Sequence, residues 1–184
     1  IKMDVNKMLL HKNTVVNNLT NGVAELFKAN GVTLIHGVGR LLSGKNVEVT
    51  ARHGEHTIYS AENVILSPGS SPIEIPQAPF TDGLILDSSG ALDIQDTPNR
   101  LGIIGSGAIG LEIGSVWSRL GATVTIIEAL PSFLTLADKD ISRAAFRTLK
   151  KQSLNIKMSS NVIGTEIIDS KEIKVRFIEA DEEK

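Results

Sequence analysis

The sequence has 184 residues, 41% of them hydrophobic and 22% charged, with a formal net charge of −2 at pH 7. These are the proportions of an average globular protein, the charge gives no reason to expect a nucleic-acid or anionic-membrane partner, and no apolar run approaches the roughly 20 residues that span a bilayer. The absence of cysteine excludes a disulfide framework, a thiolate nucleophile and a cysteine metal site within these residues.

The first part of the chain predicts one long helix followed by short strands. Apolar side chains recur at helical spacing over residues 4–29, with Asp4 as the N-cap and Asn30-Gly31 as the stop. Alternating or apolar runs then predict strands in "VTLIHGVGRL", "NVEVTAR", "HTIYSA" and "NVILS". The chain begins with Ile1 rather than methionine, so we expect an excised or processed piece of a longer protein.

A proline-rich connection divides the sequence. The stretch "SPGSSPIEIPQAP" has four prolines, and proline interrupts both helices and central strands. We therefore expect a first domain over residues 1–75, a connection over residues 76–91 and a second domain over residues 92–184, whose C-terminal part is expected to be incomplete.

The second part alternates between strand and helix patterns, which predicts an α/β fold with parallel strands joined by right-handed crossovers. The predicted strands are residues 101–104, 123–128, 155–158 and 162–167, and the predicted helices are residues 108–120 and 139–152.

A glycine motif, "GSGAIG", lies between the first strand and helix of this alternation. Gly105 permits a tight turn, Gly107 lets the backbone approach a pyrophosphate, and Gly110 lets the helix pack closely on the strand. The next strand ends in Glu128, whose carboxylate suits the ribose hydroxyls of NAD and would repel the extra phosphate of NADP. The alternative is a tight helix–strand junction that binds no ligand.

The segment "GSGAIGLEIGSVWSRLGATVTIIEA" resembles the NAD-binding core of the dihydrolipoyl dehydrogenases, in the pyridine nucleotide-disulfide oxidoreductase family. The similarity extends to "SSGALDIQDTPNRLGIIG" and "NGVAELFKANGVTLIHGVGRL" and fades after about residue 168. The resemblance implies a Rossmann-like, doubly wound NAD-binding domain, preceded by an incomplete FAD-binding domain made of a helix and a small β-meander.

The resemblance also implies which residues bind NAD. Glu112 would face the nicotinamide and its ribose, Glu128 the adenosine ribose, and Val162 the adenine. A solvated helix charge is the alternative for Glu112, and core packing is the alternative for Val162. The pyrophosphate would lie on the residues of the glycine motif, namely Gly105, Ser106, Gly107, Ala108, Ile109 and Gly110, and Leu111 is a further residue assigned to cofactor binding.

A partial FAD site is implied by "SPGS", which aligns with a family motif that passes the adenosine end of the flavin. Pro68, Gly69 and Ser70 would provide this contact, with Gly39 as a further backbone contact. Pro68 replaces the usual threonine and removes a hydroxyl and an N–H, so FAD retention is expected to be weaker. A plain proline turn is the alternative.

The activity implied for the intact enzyme is oxidation of protein-bound dihydrolipoamide through a redox disulfide and FAD, with reduction of NAD to NADH. The implied partners are the lipoyl domain of a 2-oxoacid dehydrogenase complex and a second subunit in a homodimer. The implied location is intracellular: the cytoplasm in a bacterium or the mitochondrial matrix in a eukaryote.

No residue of this chain is assigned a catalytic role, because the redox cysteines and the acid–base pair of the family lie outside these residues. His53 and His56 flank a turn and predict a solvated hairpin tip rather than a zinc site. The isolated chain is therefore expected to be inactive. Two other functions stay open: an NADPH-preferring disulfide reductase of the same superfamily, and a non-catalytic NAD-binding module.

Overall fold

The computed structural model describes residues 3–179 and 182–183. The chain forms two compact units, one of residues 11–71 and one of residues 1–10 together with 72–184. The described residues form a mixed α/β fold with one parallel and two antiparallel three-stranded sheets, which confirms the predicted fold class. None of the helices described is both long and apolar enough to cross a membrane.

The long helix predicted over residues 4–29 is confirmed as α1, Val5–Ala29. Asp4 caps it by accepting a backbone N–H bond of 3.1 Å from the first turn, which satisfies one of the donors left free at a helix start. Gly31 ends the helix with a φ of +66°, in the left-handed region that glycine adopts without strain.

The apolar face predicted for α1 is present, and most of it is exposed. Val5 and Leu9 are buried in the core formed by residues 1–10 and 72–184. Further along the helix, Leu19 and Leu26 are 66% and 61% exposed. Because such a helix face is usually buried, the unit of residues 11–71 carries an uncovered apolar surface.

The unit of residues 11–71 also contains a β-meander. Strands β1 (Val38–Leu41), β2 (Asn46–Thr50) and β3 (His56–Ser60) pair antiparallel in that order. The strand predicted in "VTLIHGVGRL" forms only in its second half. Val38 already pairs with the last residue of β2, Thr50, so residues 33–37 extend past the end of β2 and find no partner there.

The strand predicted in "NVILS" is wrong. Residues 63–67 have no strand assignment, and Ile65 is 90% exposed. A strand is stable only beside a partner that accepts its backbone hydrogen bonds, and no described strand pairs with these residues. An apolar run alone could not reveal this, because it says nothing about the neighbouring strand.

The predicted connection is largely irregular, with isolated bridges between Ile75 and Ala78 and between Thr81 and Ile85. It ends in a short helix that the sequence pattern did not predict, α2 (Ser88–Ala91). Asp87 caps α2 by accepting a 2.8 Å bond from a backbone N–H.

The predicted alternation of strands and helices is confirmed within about two residues at each end. A parallel sheet in the order β4-β5-β6 is connected by two helices: β4 (Arg100–Ile104), α3 (Ala108–Arg119), β5 (Thr123–Ile127), α4 (Lys139–Lys151) and β6 (Asn155–Lys157). Val124 and Ile126 of β5 are almost fully buried, and Trp117 of α3 is 3% exposed. This βαβαβ arrangement is one half of a doubly wound sheet.

A third, antiparallel sheet follows. It consists of β7 (Ser160–Ile167), β8 (Ile173–Glu179) and β9 (Glu182–Glu183). The predicted strand over residues 162–167 therefore exists, but it pairs with β8 rather than extending the parallel sheet. Part of the acidic C-terminal run, residues 180, 181 and 184, lies outside the described residues.

Candidate functional site

The glycine motif forms the turn between β4 and α3. Gly105 has a φ of +102°, which an L side chain rarely adopts. Its N–H donates to the carbonyl of Ile127 at 2.8 Å, so the turn starts at the carboxyl edge of the parallel sheet. In open α/β sheets, ligands bind at this edge.

Gly110 allows α3 to lie directly on the turn and the sheet. A Cβ atom at Gly110 would stand 2.5 Å from the carbonyl oxygen of Gly105 and 3.2 Å from Cγ2 of Ile103. Gly114, one turn later, is less tightly packed, since its Cβ would lie 3.1 Å from Cδ1 of Ile103. The close packing predicted for Gly110 is confirmed, and there the fold itself explains the glycine.

Gly107 is different, because the fold does not require a glycine there. Its φ of −70° and ψ of 170° are open to any residue, and an added Cβ would meet no atom within 4 Å. It is the N-cap of α3, and no side chain caps the helix. The first N–H groups of α3 and the positive end of its dipole are therefore available to an anion.

Glu128 directly follows β5 and faces the same turn. Its Oε2 accepts hydrogen bonds from the N–H of Ser106 at 2.8 Å and from the Ser106 hydroxyl at 2.9 Å, while Oε1 accepts one from Leu130 N at 2.8 Å. Burial raises the pKa of Glu128, but the bonds from Leu130 and Ser106, with a further contribution from the Ala129 N–H, lower it below its usual value. The carboxylate is therefore ionised at neutral pH.

These residues share one pocket of about 350 Å³. It brings together four residues predicted to bind the nucleotide: Ser106, Gly107, Ala108 and Glu128. The remaining wall comes from the loop after β5, through Leu130, Ser132, Leu134, Thr135, Leu136 and Ala137. A helix N-terminus and a carboxylate thus line the same cavity, an arrangement suited to a ligand that has both phosphate and hydroxyl groups.

The loop residues of this pocket were not predicted from the sequence. A signal for them exists: "ALPSFLTLAD" follows the second strand and contains a proline, a serine and a threonine, which is typical of a loop. A loop in that position lies at the carboxyl edge of the sheet, where ligands bind.

Glu112 lies outside that pocket. It is exposed and lines an adjoining cavity of about 430 Å³, together with Leu111, Ser115, Val116, Arg119 and Leu149. Ala108 and Leu134 border both cavities, so the two share part of their lining. Of the other predicted residues of the motif, Ile109 is 61% exposed.

Val162 is half-buried in β7, opposite Phe177 of β8, next to an irregularity in the register. It is not among the residues that border either cavity. The first residue of its strand, Ser160, donates its N–H to the carbonyl of Glu128 at 2.8 Å. This bond holds the start of β7 beside the end of β5.

The residues predicted to contact FAD belong to the unit of residues 11–71. Gly39 lies in β1 opposite Val49, and Pro68, Gly69 and Ser70 lie in the irregular segment after β3. All four are exposed, and Gly69 has a φ of +77°. Their role toward FAD stays a prediction.

The histidines at the β2–β3 turn were considered as zinc ligands in the sequence analysis. His56 pairs through Nδ1 with the hydroxyl of Thr50 at 3.1 Å. Over the part of the chain that the structure describes, no group of three or more histidine, aspartate or glutamate side chains is placed to hold a metal ion.

Comparison with known proteins gives one consistent family. The profile described as "Pyridine nucleotide-disulphide oxidoreductase" matches residues 2–184. The chain is 41% identical over 162 residues to a dihydrolipoyl dehydrogenase of Cupriavidus necator, covering 88% of this chain and 34% of the relative. It is 34% identical over 166 residues to a mitochondrial dihydrolipoyl dehydrogenase of Pisum sativum, covering 90% of this chain and 33% of that relative.

Solved structures agree with this result. The HOCl-induced flavoprotein disulfide reductase RclA from Escherichia coli superposes with a TM-score of 0.77 at 27% identity, over 98% of this chain and 40% of that one. LpdA from Mycobacterium tuberculosis superposes with a TM-score of 0.83 over the same shares at 20% identity, which is a likeness of fold. The chain spans about a third of the length of the sequence relatives.

Proposed function

The chain belongs to the pyridine nucleotide-disulphide oxidoreductase family, and we propose that it is the part of a dihydrolipoyl dehydrogenase that binds NAD and contributes to an FAD site. The support is the relatives of that name, at 34–41% identity over 88–90% of this chain. Members of this family are oxidoreductases that use FAD and a pyridine nucleotide.

The observation that carries the NAD assignment is the pocket shared by Gly107 and Glu128. A dinucleotide offers two phosphates and a ribose diol within one extended molecule. The uncapped N-terminus of α3 would hold the pyrophosphate through the N–H groups of Ala108 and Ile109. The Glu128 carboxylate would accept a hydrogen bond from the ribose, and bound NAD supplies the hydride acceptor.

Preference for NAD over NADP follows from the charge of Glu128. Hydrogen bonds to its carboxylate hold its pKa below the usual value, so at neutral pH a negative charge faces the ribose. A 2′-phosphate would be repelled, and the ten residues after Glu128 contain no arginine to receive it.

Two further NAD contacts are proposed from the family resemblance. Glu112 would act at the nicotinamide end, which is consistent with its place in the neighbouring cavity that also borders on Ala108. Val162 would line the adenine side, where the bond from Ser160 to Glu128 keeps its strand near the ribose position.

The first part of the chain is proposed to contribute to an FAD site through Gly39, Pro68, Gly69 and Ser70. On this proposal residues 1–75 are a partial FAD-binding domain, residues 76–91 a connection and residues 92–184 the NAD-binding domain. FAD affinity should be low, because Pro68 has no N–H to donate.

We propose that these 184 residues do not oxidise dihydrolipoamide on their own. Oxidation of the dithiol to a disulfide releases two electrons, and in this family they pass through a cysteine pair; the sequence has no cysteine. The lipoyl domain of a 2-oxoacid dehydrogenase complex and a second subunit are proposed partners of the whole protein.

Nucleotide titration tests the proposal. Titration with NADH and NADPH, followed by the fluorescence of the reduced nicotinamide, should show saturable binding with NADH tighter. The matched variant Glu128→Gln removes the charge but keeps the shape of the side chain. It should therefore reduce the difference between the Kd values for NADH and NADPH. Tighter binding of NADPH by the wild-type chain would favour the NADPH-preferring reductase instead. Saturable NADH binding with no turnover of dihydrolipoamide is expected, and turnover would contradict the inactivity of the isolated chain.

A further inference from the structure

We infer that Ser106 is a positioning residue that selects the nucleotide by orienting Glu128, rather than a residue whose side chain contacts the nucleotide. This inference rests on the proposed function of the pocket. Ser106 borders the cavity, but only 2% of its surface is exposed. Its hydroxyl is already donated to the Glu128 carboxylate.

The geometry decides which carboxylate oxygen is left for a ligand. A carboxylate oxygen has two lone pairs, and both on Oε2 of Glu128 are engaged, by Ser106 N at 2.8 Å and Ser106 Oγ at 2.9 Å. Leu130 N donates to Oε1 at 2.8 Å, and the Ala129 N–H makes a smaller contribution to the same carboxylate. Since Oε2 already has two close donors, Oε1 is the oxygen that we assign to a ribose hydroxyl.

The hydroxyl of Ser106 has two effects on Glu128. It restrains rotation of the carboxylate, so that the positions of its two oxygens at the edge of the cavity are fixed before a ligand arrives. It also stabilises the ionised form, since a hydrogen bond donated to a carboxylate favours its charge. Rejection of a 2′-phosphate depends on both the position and the charge, so removing the hydroxyl should weaken the preference for NAD.

None of the described elements packed around Glu128 places a positively charged side chain in an ion pair with its carboxylate. From β6, Lys157 accepts the Glu128 N–H through its carbonyl, while its ammonium group pairs with Glu179 of β8 at 2.9 Å. From β7, Ser160 donates its backbone N–H. Within the described part of the chain no lysine, arginine or histidine forms an ion pair with Glu128, so burial and hydrogen bonds are what act on the pKa of its carboxylate.

A double-mutant cycle tests the inference on the full 184-residue chain. Ser106→Ala should raise the Kd for NADH about fivefold to tenfold and reduce the NADH/NADPH preference by a similar factor. In the Glu128→Gln background the same change should alter either Kd by less than twofold. Ser106→Thr, which keeps the hydroxyl, should keep the preference. Equal losses in both backgrounds would mean that Ser106 contacts the nucleotide or only supports the fold, and would overturn the inference.

An NMR titration of the Glu128 carboxyl carbon without nucleotide separates this inference from the proposed function. The wild-type pKa should lie below the usual 4.5, and Ser106→Ala should raise it; a wild-type value at or above 4.5, or no change in the variant, would overturn the inference. If the wild-type chain binds neither nucleotide, the proposed function fails. The titration still decides whether the Ser106 hydroxyl stabilises the ionised carboxylate of Glu128. If Ser106→Ala does not fold, Ser106→Gly, which also removes the hydroxyl, replaces it in both measurements, with the same expected result and the same refuting one.

Discussion

The contrast between Gly107 and Gly110 gives the sharpest test of the pocket. Two variants are compared, Gly107→Ser and Gly110→Ala, each of which adds a small side chain to the same motif. At Gly107 the backbone angles suit serine and no atom lies within 4 Å of an added Cβ. At Gly110 the added Cβ would lie 2.5 Å from a backbone carbonyl oxygen.

Gly107→Ser should change the affinity for the nucleotide rather than the stability of the fold. Serine is a good N-cap, so Gly107→Ser should leave the free energy of unfolding unchanged to within about 0.5 kcal/mol. The serine hydroxyl would accept a hydrogen bond from one of the N–H groups that are proposed to bind phosphate. Loss of one such charge-assisted bond, worth roughly 1.5 to 3 kcal/mol, corresponds to a rise in Kd for NADH of about 10- to 150-fold.

Gly110→Ala should act on the fold. Overpacking costs about 1 to 3 kcal/mol, and the better helix propensity of alanine offsets up to about 1 kcal/mol of this. A net loss of 1 kcal/mol lowers the Tm by about 2 to 4 °C for a chain of this size. Thermal unfolding by circular dichroism and NADH titration together give both quantities. Wild-type NADH affinity in Gly107→Ser would refute the placement of the pyrophosphate.

Three other outcomes are expected. Trp117→Phe removes the bond from the indole N–H to the carbonyl of Ala91, 3.2 Å long, at a side chain that is 3% exposed, and should lower the free energy of unfolding by about 1 to 2 kcal/mol in denaturant titration. The pKa of Glu128 is lower in the folded chain than its usual value, so the ionised carboxylate stabilises the fold fully above the unfolded pKa of 4.5, and this stabilisation is lost as the pH falls through the folded pKa. Glu128→Gln should therefore make the free energy of unfolding fall less steeply with decreasing pH. Equal pH dependence in the wild-type chain and the variant would contradict this. We expect the exposed apolar face of α1 to cause self-association. Replacing Leu19 and Leu26, both more than 60% exposed, with lysine should therefore reduce concentration-dependent light scattering without lowering the Tm. Equal scattering by the wild-type chain and the variant would contradict this expectation.

The parallel sheet was predictable because its signals are local. The apolar run of β4, the glycine turn and the stop at Gly121 lie within one continuous stretch of sequence, and the observed elements follow it closely. The strands of the first part were less predictable, because a strand depends on a partner. Residues 33–37 and 63–67 have apolar character, but no described strand lies beside them.

The site, like the strands, depends in part on contacts between residues that are far apart in the sequence. The motif and Glu128 could be recognised from spacing, and the sequence analysis assigned both Ser106 and Glu128 to the nucleotide. The bonds between them join residues 22 positions apart, and they form only because β4 and β5 are parallel neighbours. No sequence pattern distinguishes a serine that contacts a ligand from one that is buried and holds a neighbouring carboxylate.

Gly107 is the residue of the pocket that folding does not explain. Gly105 is explained by its positive φ and Gly110 by its close contact with a carbonyl, but Gly107 satisfies neither condition. Glu128 has a structural role of its own, because its carboxylate accepts hydrogen bonds from Ser106 and Leu130. Gly107 and Glu128 border the same cavity. A ligand-free helix–strand junction leaves Gly107 unexplained, and the phosphate proposed at this helix N-terminus would account for it.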